Sequence, residues 1–194
     1  NKKKQTIKML QLNFSPFPIL ESERLRFRKL TNEDAPEILA LRGNPETMKF
    51  IPRPLATNIE DALNHIKIIN DKIDENLDIN WAVTEKGSDK CIGLRGFYRT
   101  QPEHFRTELG YMIVPEHNGK GYVTEAVKTL LDYAFNTLNF HSIEAVIDSR
   151  HIASERVLQK NGFEKEAHFK ENFYYNNEFT DTVIYGLLKR NFIK

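Results

Sequence analysis

The sequence predicts an α/β (α+β) domain, and three observations carry that reading. Short runs of strand character alternate with longer segments of helical spacing, in the order βααβββαβαββ. One strand-like run, 109–114, ends at Pro115 and passes through Asn118-Gly119-Lys120-Gly121 directly into an amphipathic helix. The 194 residues suffice for a single domain burying about 70% of its unfolded surface. No repeat or low-complexity stretch divides it.

Taken in order, residues 1–18, with Pro16 and Pro18, read as a tail or packed arm ahead of one domain over 19–194. Lys2-Lys3-Lys4 is too short for more than a solvated run. Residues 25–30 alternate apolar and polar, as a half-buried strand does. Thr31, with Asp34 three positions on, supplies an N-cap for a first helix. Ile38, Leu39 and Leu41 give it an apolar face, and Gly43-Asn44-Pro45 ends it. The stiff Ile51-Pro52-Arg53-Pro54 loop leads to a second helix over roughly 59–76. Strands at 79–84 and 91–98 flank the turn Lys86-Gly87-Ser88-Asp89, and a third follows at 105–114. Past the glycines, Val123, Ala126, Val127, Leu130, Leu131, Ala134 and Leu138 recur at helical spacing with one buried face. A strand at 142–148, a helix at 153–161 closed by Gly162, and a hairpin of 163–171 with 179–188 complete the chain. An exposed terminal hairpin can pair strands across a homodimer, so monomer and homodimer both fit.

Composition excludes several classes. The 28 basic and 27 acidic residues nearly cancel, which argues against bulk nucleic-acid binding. The single cysteine, Cys91, cannot form an internal disulfide and fits a reducing, cytoplasmic setting. In an apolar strand it reads as a small core hydrophobe rather than a nucleophile. No apolar run reaches the ~20 residues a membrane helix needs, and no signal-peptide core is present. His65, His104, His117, His141 and His168 lack metal-ligand spacing and most of them read as solvated, so no metal is expected.

The strand–glycine–helix segment carries the chemistry. Gly119 and Gly121 let the backbone approach a ligand closely, having no Cβ. The unpaired N–H groups and positive dipole end of the following helix favour an anion such as a pyrophosphate, and Lys120 adds a charge there. The Walker and Rossmann patterns both fail: Val114 and Gly121 occupy required positions in the first, and Thr124 stands for the third glycine of the second. Read alone, the glycines are also compatible with an ordinary loop before a core helix.

The segment ELGYMIVPEHNGKGYVTEA resembles the acyl-CoA-binding signature of the GNAT N-acetyltransferase superfamily, Arg/Gln-x-x-Gly-x-Gly/Ala after an LGY-type strand. The matching positions are Asn118, Gly121 and Val123, with Asn replacing Arg/Gln and Val replacing the small residue. Residues 154–163, SERVLQKNGF, are similar to a second block, SxRVLxKxGF, of the Rim-type branch, whose members acetylate protein N-termini, often of ribosomal proteins. The resemblance runs from about Leu20 to the C-terminus.

The resemblance implies a GNAT fold, a mixed central sheet flanked by helices, whose first two helices wall an acceptor groove. It implies acetyl-CoA as cosubstrate and direct transfer in a ternary complex. The backbone of Met112, Ile113 and Val114 would pair with the pantetheine arm, one N–H serving as oxyanion donor. Asn118 and the amides of Gly119, Lys120, Gly121, Tyr122, Val123 and Thr124 would hold the pyrophosphate. Glu108 corresponds to the general base; the alternative is a solvated carboxylate or an ion pair with Arg95 or Arg106. Many members place a general-acid Tyr where Leu158 stands, and Ser154 is the Rim-type substitute, with helix capping as its alternative. His151 replaces an asparagine that contacts CoA. It can take over that contact, approach a CoA phosphate, or merely begin the helix. Trp81, Phe97 and Tyr98 line the acceptor site or fill the sheet core.

A protein α-amine, with pKa about 7.7–8.0, is ~10–15% neutral at pH 7, against ~0.04% for lysine, so one moderate base suits an N-terminal acceptor. A small polycationic amine (aminoglycoside or polyamine) and a non-catalytic CoA-binding regulatory module are the alternatives.

Overall fold

A computed structural model describes residues 8–113 and 117–192 of the chain. Its frame is one eight-stranded sheet. In chain order the strands are β1 (Leu20–Glu21), β2 (Leu25–Arg28), β3 (Ile79–Glu85), β4 (Gly93–Gln101), β5 (Arg106–Ile113), β6 (Ser142–Asp148), β7 (Glu164–Tyr175) and β8 (Glu178–Leu188). Across the sheet they run β1-β2-β3-β4-β5-β6-β8-β7. All neighbours are antiparallel except β5 and β6, which are parallel. The helices are α1 (Ala35–Arg42), a single turn α2 (Pro45–Met48), α3 (Ile59–Asp74), α4 (Tyr122–Asp132) and α5 (Ile152–Lys160). The mixed α/β architecture and the element order agree with the sequence reading. β1 and α2 are additions too short for a periodicity to show.

Local chemistry explains the boundaries. Asp34 accepts from the Thr31 N–H at 2.9 Å, the reciprocal half of the expected cap, but Asn32–Asp34 forms a 3-10 turn before α1 begins. Asn58 caps α3 by accepting from the Asp61 N–H at 2.9 Å. The helix after the glycines keeps its apolar spacing but ends as a π-helical turn, Tyr133–Thr137. The β7–β8 hairpin is longer than expected because Asn176 and Asn177, at φ 51° and 60°, make the tight turn themselves, leaving the rest to strand.

Helices cover both faces of the central strands, so β3 is buried at nearly every residue instead of alternating. On one face Trp81 meets Tyr133 and Phe17 edge-on, at ring separations of 5.6 and 6.2 Å. Residues 8–18 are thus a packed arm: Trp81 Nε1 donates to the Pro18 carbonyl at 2.8 Å, and Phe14 is buried with its N–H on Asn76 Oδ1. The opposite face carries Asn80, Tyr98, Glu108 and Gly110, beneath α1 and α3.

The feature that positions the site is a parting of two strands. β5 and β6 pair only where Arg106, Thr107 and Glu108 meet Ser142, Ile143 and Glu144. Beyond that, β5 continues against β4 as far as Ile113, while β6 continues against β8 as far as Asp148. A slot opens through the sheet between them.

Candidate active site

A cavity of about 1160 Å³ occupies the slot and reaches both faces of the sheet. Its walls include Gly110, Tyr111 and Met112 of β5, Ala145 and Ile147 of β6, and the N-terminal ends of α4 and α5. Most of the sequence-predicted site residues meet here. Val114 lies outside the described residues, as does the side chain of Ile113.

On the α4 side, Gly119 and Gly121 both have left-handed backbones, φ 79° and 77°. A Cβ on Gly119 would meet nothing within 4 Å, so the loop is open towards the cavity. Gly121 is the N-cap of α4, and among the described residues no side chain caps that helix, so its first amides are free for a ligand. The loop is braced from β2: Arg24 donates from Nη1 to the Lys120 carbonyl and from Nε to Glu125 Oε1, both at 2.8 Å. Ser22 Oγ donates to the same carboxylate at 2.6 Å. Tyr122 is buried, and its hydroxyl donates to Glu85 Oε2 at 2.5 Å, so only its backbone faces a ligand. Asn118 and Lys120 are exposed, Val123 packs partly on the core, and Thr124 is half-buried. Uncapped amides beside an open glycine loop fit a pyrophosphate.

The β5 edge fits an extended arm, with one restriction. The Met112 carbonyl already accepts from Arg95 Nη1 at 2.8 Å, leaving its second lone pair and the strand's N–H groups. Arg95 is fully buried, and burial lowers its pKa to about 10. Among the described residues its Nε and Nη2 have no hydrogen-bond partner, and the guanidinium lies 5.5 Å from the centre of the Tyr111 ring. This residue is not the ion-pair partner considered for Glu108.

On the α5 side the capping expectation is corrected. Ser154 is the third residue of α5, not its cap. His151 is the N-cap, its Nδ1 accepting from the Ser154 N–H at 3.3 Å. That bond places any proton of the neutral ring on Nε2. The His151 ring lies tilted against Phe50, ring centres 4.8 Å apart, and burial holds its pKa below the usual range. Freed from capping, the buried Ser154 hydroxyl makes a short hydrogen bond with the Tyr111 hydroxyl. Burial raises the Tyr111 pKa, so its phenol stays protonated. Sequence reasoning missed Tyr111. The available signal was the period-two alternation of the LGY run, which sends Tyr111 to the face opposite Glu108.

Glu108 is on the α1–α3 face, and its ion-pair partner is neither residue expected. It is Arg99, whose Nη1 donates to Oε2 at 2.7 Å, while Arg106 pairs with Glu144 at 2.5 Å. Arg99 sits at φ 49° in a bulge of β4, and the bulge aims its side chain at Glu108. Burial raises the Glu108 pKa; the Arg99 hydrogen bond and charge pull it down, and Glu144 and Asp78 push it up. The carboxylate is therefore held above the ordinary glutamate range, towards the working range of a general base.

The remaining candidates divide cleanly. Trp81 and Phe97 are core, whereas Tyr98 lines the cavity, its hydroxyl accepting from Asn80 Nδ2 at 2.5 Å. Cys91 is buried and its thiol pushed up to about 12, which leaves no thiolate for nucleophilic work. His65 is not solvated as expected: it is half-buried in the cavity wall, its pKa lowered to about 4 by burial and by Arg42 and Arg53. Among the described residues no group of three His, Cys, Asp or Glu side chains could hold a metal ion, and no helix is long and apolar enough to cross a membrane.

Residues 24–164 match the family model of the acetyltransferase (GNAT) domain. The chain is 34% identical over 173 residues to the uncharacterized N-acetyltransferase YoaA of Bacillus subtilis, covering 89% of this chain and 98% of that one. The structure of spermidine N-acetyltransferase from Vibrio cholerae in complex with CoA and spermine superposes with a TM-score of 0.76 at 26% identity, covering 86% of this chain and 96% of that one. The ribosomal-protein-S5-alanine acetyltransferase of Vibrio fischeri shares the fold, with a TM-score of 0.79 at 24% identity over 91% of this chain and 100% of that one.

Proposed function

The chain belongs to the GNAT acetyltransferase family, and from that premise we propose that it transfers acetyl from acetyl-CoA directly to a protein N-terminal α-amine, as a Rim-type enzyme. That it is an N-acetyltransferase follows from the family. The acceptor, the branch and the residue roles are the proposal.

The observation that carries it is the slot, with a carboxylate on one face and a hydroxyl pair on the other. The amides at the start of α4 take the pyrophosphate, and the β5 edge holds the pantetheine arm in the slot, with the N–H groups there facing the thioester oxygen. Holding the reactants in register contributes ~7–11 kcal/mol of the barrier. Glu108, directly or through one water, accepts the proton that the amine sheds as its nitrogen bonds to the acetyl carbon. As the carbon–sulfur bond breaks, Ser154 donates its proton to the departing sulfur and takes one from Tyr111 through their hydrogen bond, and the phenol is reprotonated from solvent while Glu108 releases the amine's proton to solvent. The base and the acid stand on opposite faces of the sheet, so acceptor and leaving thiol are served from separate sides of the slot.

Spermidine acetyltransferases are among the relatives, at 27% identity over 175 residues for that of Vibrio cholerae, so the polyamine reading is the principal competitor. The acceptor groove argues against it. Arg42 and Arg53 line the groove with no carboxylate partner among the described residues, an environment that repels a polycation. Calorimetric titration with acetyl-CoA, followed by thiol release on a panel of N-terminal peptides and spermidine, tests the reading. Peptide-dependent release supports it. Release with spermidine alone would sink the acceptor, and CoA binding with no turnover on any amine would favour the regulatory module.

A further inference from the structure

Resting on the N-terminal acceptor just proposed, we infer that Arg42 and Arg53 form an anion clamp, and that the preferred acceptor is a peptide with Asp or Glu at its second or third position. Arg42 is the last residue of α1, and Arg53 lies in the proline-flanked loop before α3. The Arg42 guanidinium is half-buried, and among the described residues no hydrogen bond or ion pair reaches its side chain. Burial lowers its pKa, and the nearby charge of Arg53 lowers it further. A cation taken from water without a counter-charge is unfavourable, and a carboxylate arriving beside it removes that cost.

The other charges of the groove do not fill this role. Asp78 lies 3.9 Å from Lys72 and accepts from the Thr100 N–H, and Glu108 is held by Arg99. Glu46, on α2, is exposed and makes no ion pair among the described residues. His65, pushed down to about 4 by burial and both arginines, is neutral at pH 7 and offers a hydrogen bond without charge. Arginine is the side chain best shaped for a bidentate grip on a carboxylate.

Arg42, Tyr98 and Glu108 line the same cavity, and Tyr98 pairs across the sheet with Glu108. The amine at Glu108 and the anion at Arg42 thus share one groove with Tyr98. Extended peptide advances ~3.3–3.6 Å per residue, so we take the anion to be on the second or third side chain, the nearest positions that can run from the amine along the groove.

The test is acetylation of matched peptides carrying Glu or Gln, and Asp or Asn, at those positions, with spermidine as a third arm. The wild type is expected to prefer the acidic peptide by about tenfold or more, chiefly through KM, the scale of one charge-assisted hydrogen bond. Arg42→Gln should abolish the preference, Arg42→Lys restore part of it, and Arg53→Gln reduce it, with acetyl-CoA affinity confirming that each variant is folded. Lys128→Gln, on the exposed face of α4, should retain it. Equal rates on acidic and neutral peptides, or a preference that survives both arginine substitutions, would overturn the clamp while leaving N-terminal acetylation standing. Acetylation of spermidine but of no peptide would instead remove the proposed function. Peptide affinity for the CoA-saturated protein decides the matter independently of turnover: tighter binding of the acidic peptide supports the clamp, and equal affinity overturns it.

Discussion

Replacing Gly110 with alanine separates the two sides of the slot. A Cβ built on Gly110 would lie 2.5 Å from Tyr98 Cε2 and 3.0 Å from Cδ2. Ordinary contact begins near 3.4 Å, so the ring must withdraw by about 1 Å. It is not free to do so, because its hydroxyl is tied to Asn80. Overpacking of this kind costs about 1–3 kcal/mol. For a chain of this size that lowers Tm by ~2–12 °C. The displaced ring intrudes on the acceptor groove, whereas the α4 amides and the Tyr111–Ser154 pair are on the other side. Acceptor kcat/KM should therefore fall while acetyl-CoA affinity stays near wild type, measured by thiol release and calorimetry with thermal unfolding in parallel. In a Tyr98→Ala background the same substitution should cost little, since the clash is gone. A Gly110→Ala protein with unchanged Tm and acceptor kinetics would refute the packing, and a parallel loss of acetyl-CoA affinity would refute the assignment of faces.

Further outcomes follow from the same structure. Glu108→Gln should lower turnover by the ~10²–10⁴-fold typical of a lost general base. Since burial holds the Glu108 pKa above the ordinary range and Arg99 pulls it down, Arg99→Gln should move the acid limb of the pH–rate profile upward, and a stationary limb would argue against Glu108 as the base. Ser154→Ala and Tyr111→Phe should each reduce kcat, with the double variant little worse than the poorer single, because one hydrogen-bonded unit does the work; additive losses would break that link. His65 has a folded pKa of about 4 against an ordinary 6.5, so the unfolded chain takes up its proton first as pH falls. Its stabilisation is present above 6.5 and is lost towards pH 4, at up to about 1.4 kcal/mol per pH unit. His65→Gln should flatten that slope in denaturant titrations across the window.

The sequence determined the element order and the donor cradle. Both rest on local rules: apolar periodicity fixes strand and helix, and glycines before a helix leave amides unpaired whatever surrounds them. Ser142–Asp148 was legible to the residue because alternation and turn residues bound it on both sides. The roles of single side chains were not local. Arg99, rather than Arg95 or Arg106, reaches Glu108 because a bulge in β4 turns it there, and one extra residue in a strand leaves no trace in composition. Ser154 was expected to share its hydroxyl between capping and catalysis, until His151 proved to occupy the cap and Tyr111, 43 residues away in sequence, took the hydroxyl. Arg42 and His65 look like surface residues in the chain, and only the packing of α1 and α3 over the sheet half-buries them, beside an exposed Arg53. Sequence by itself decided which backbone could hold an acyl carrier, since that is written in runs of neighbours. Tertiary structure decided which side chains face the acceptor, since charge and burial there depend on residues that meet only after the sheet has formed and β5 has parted from β6.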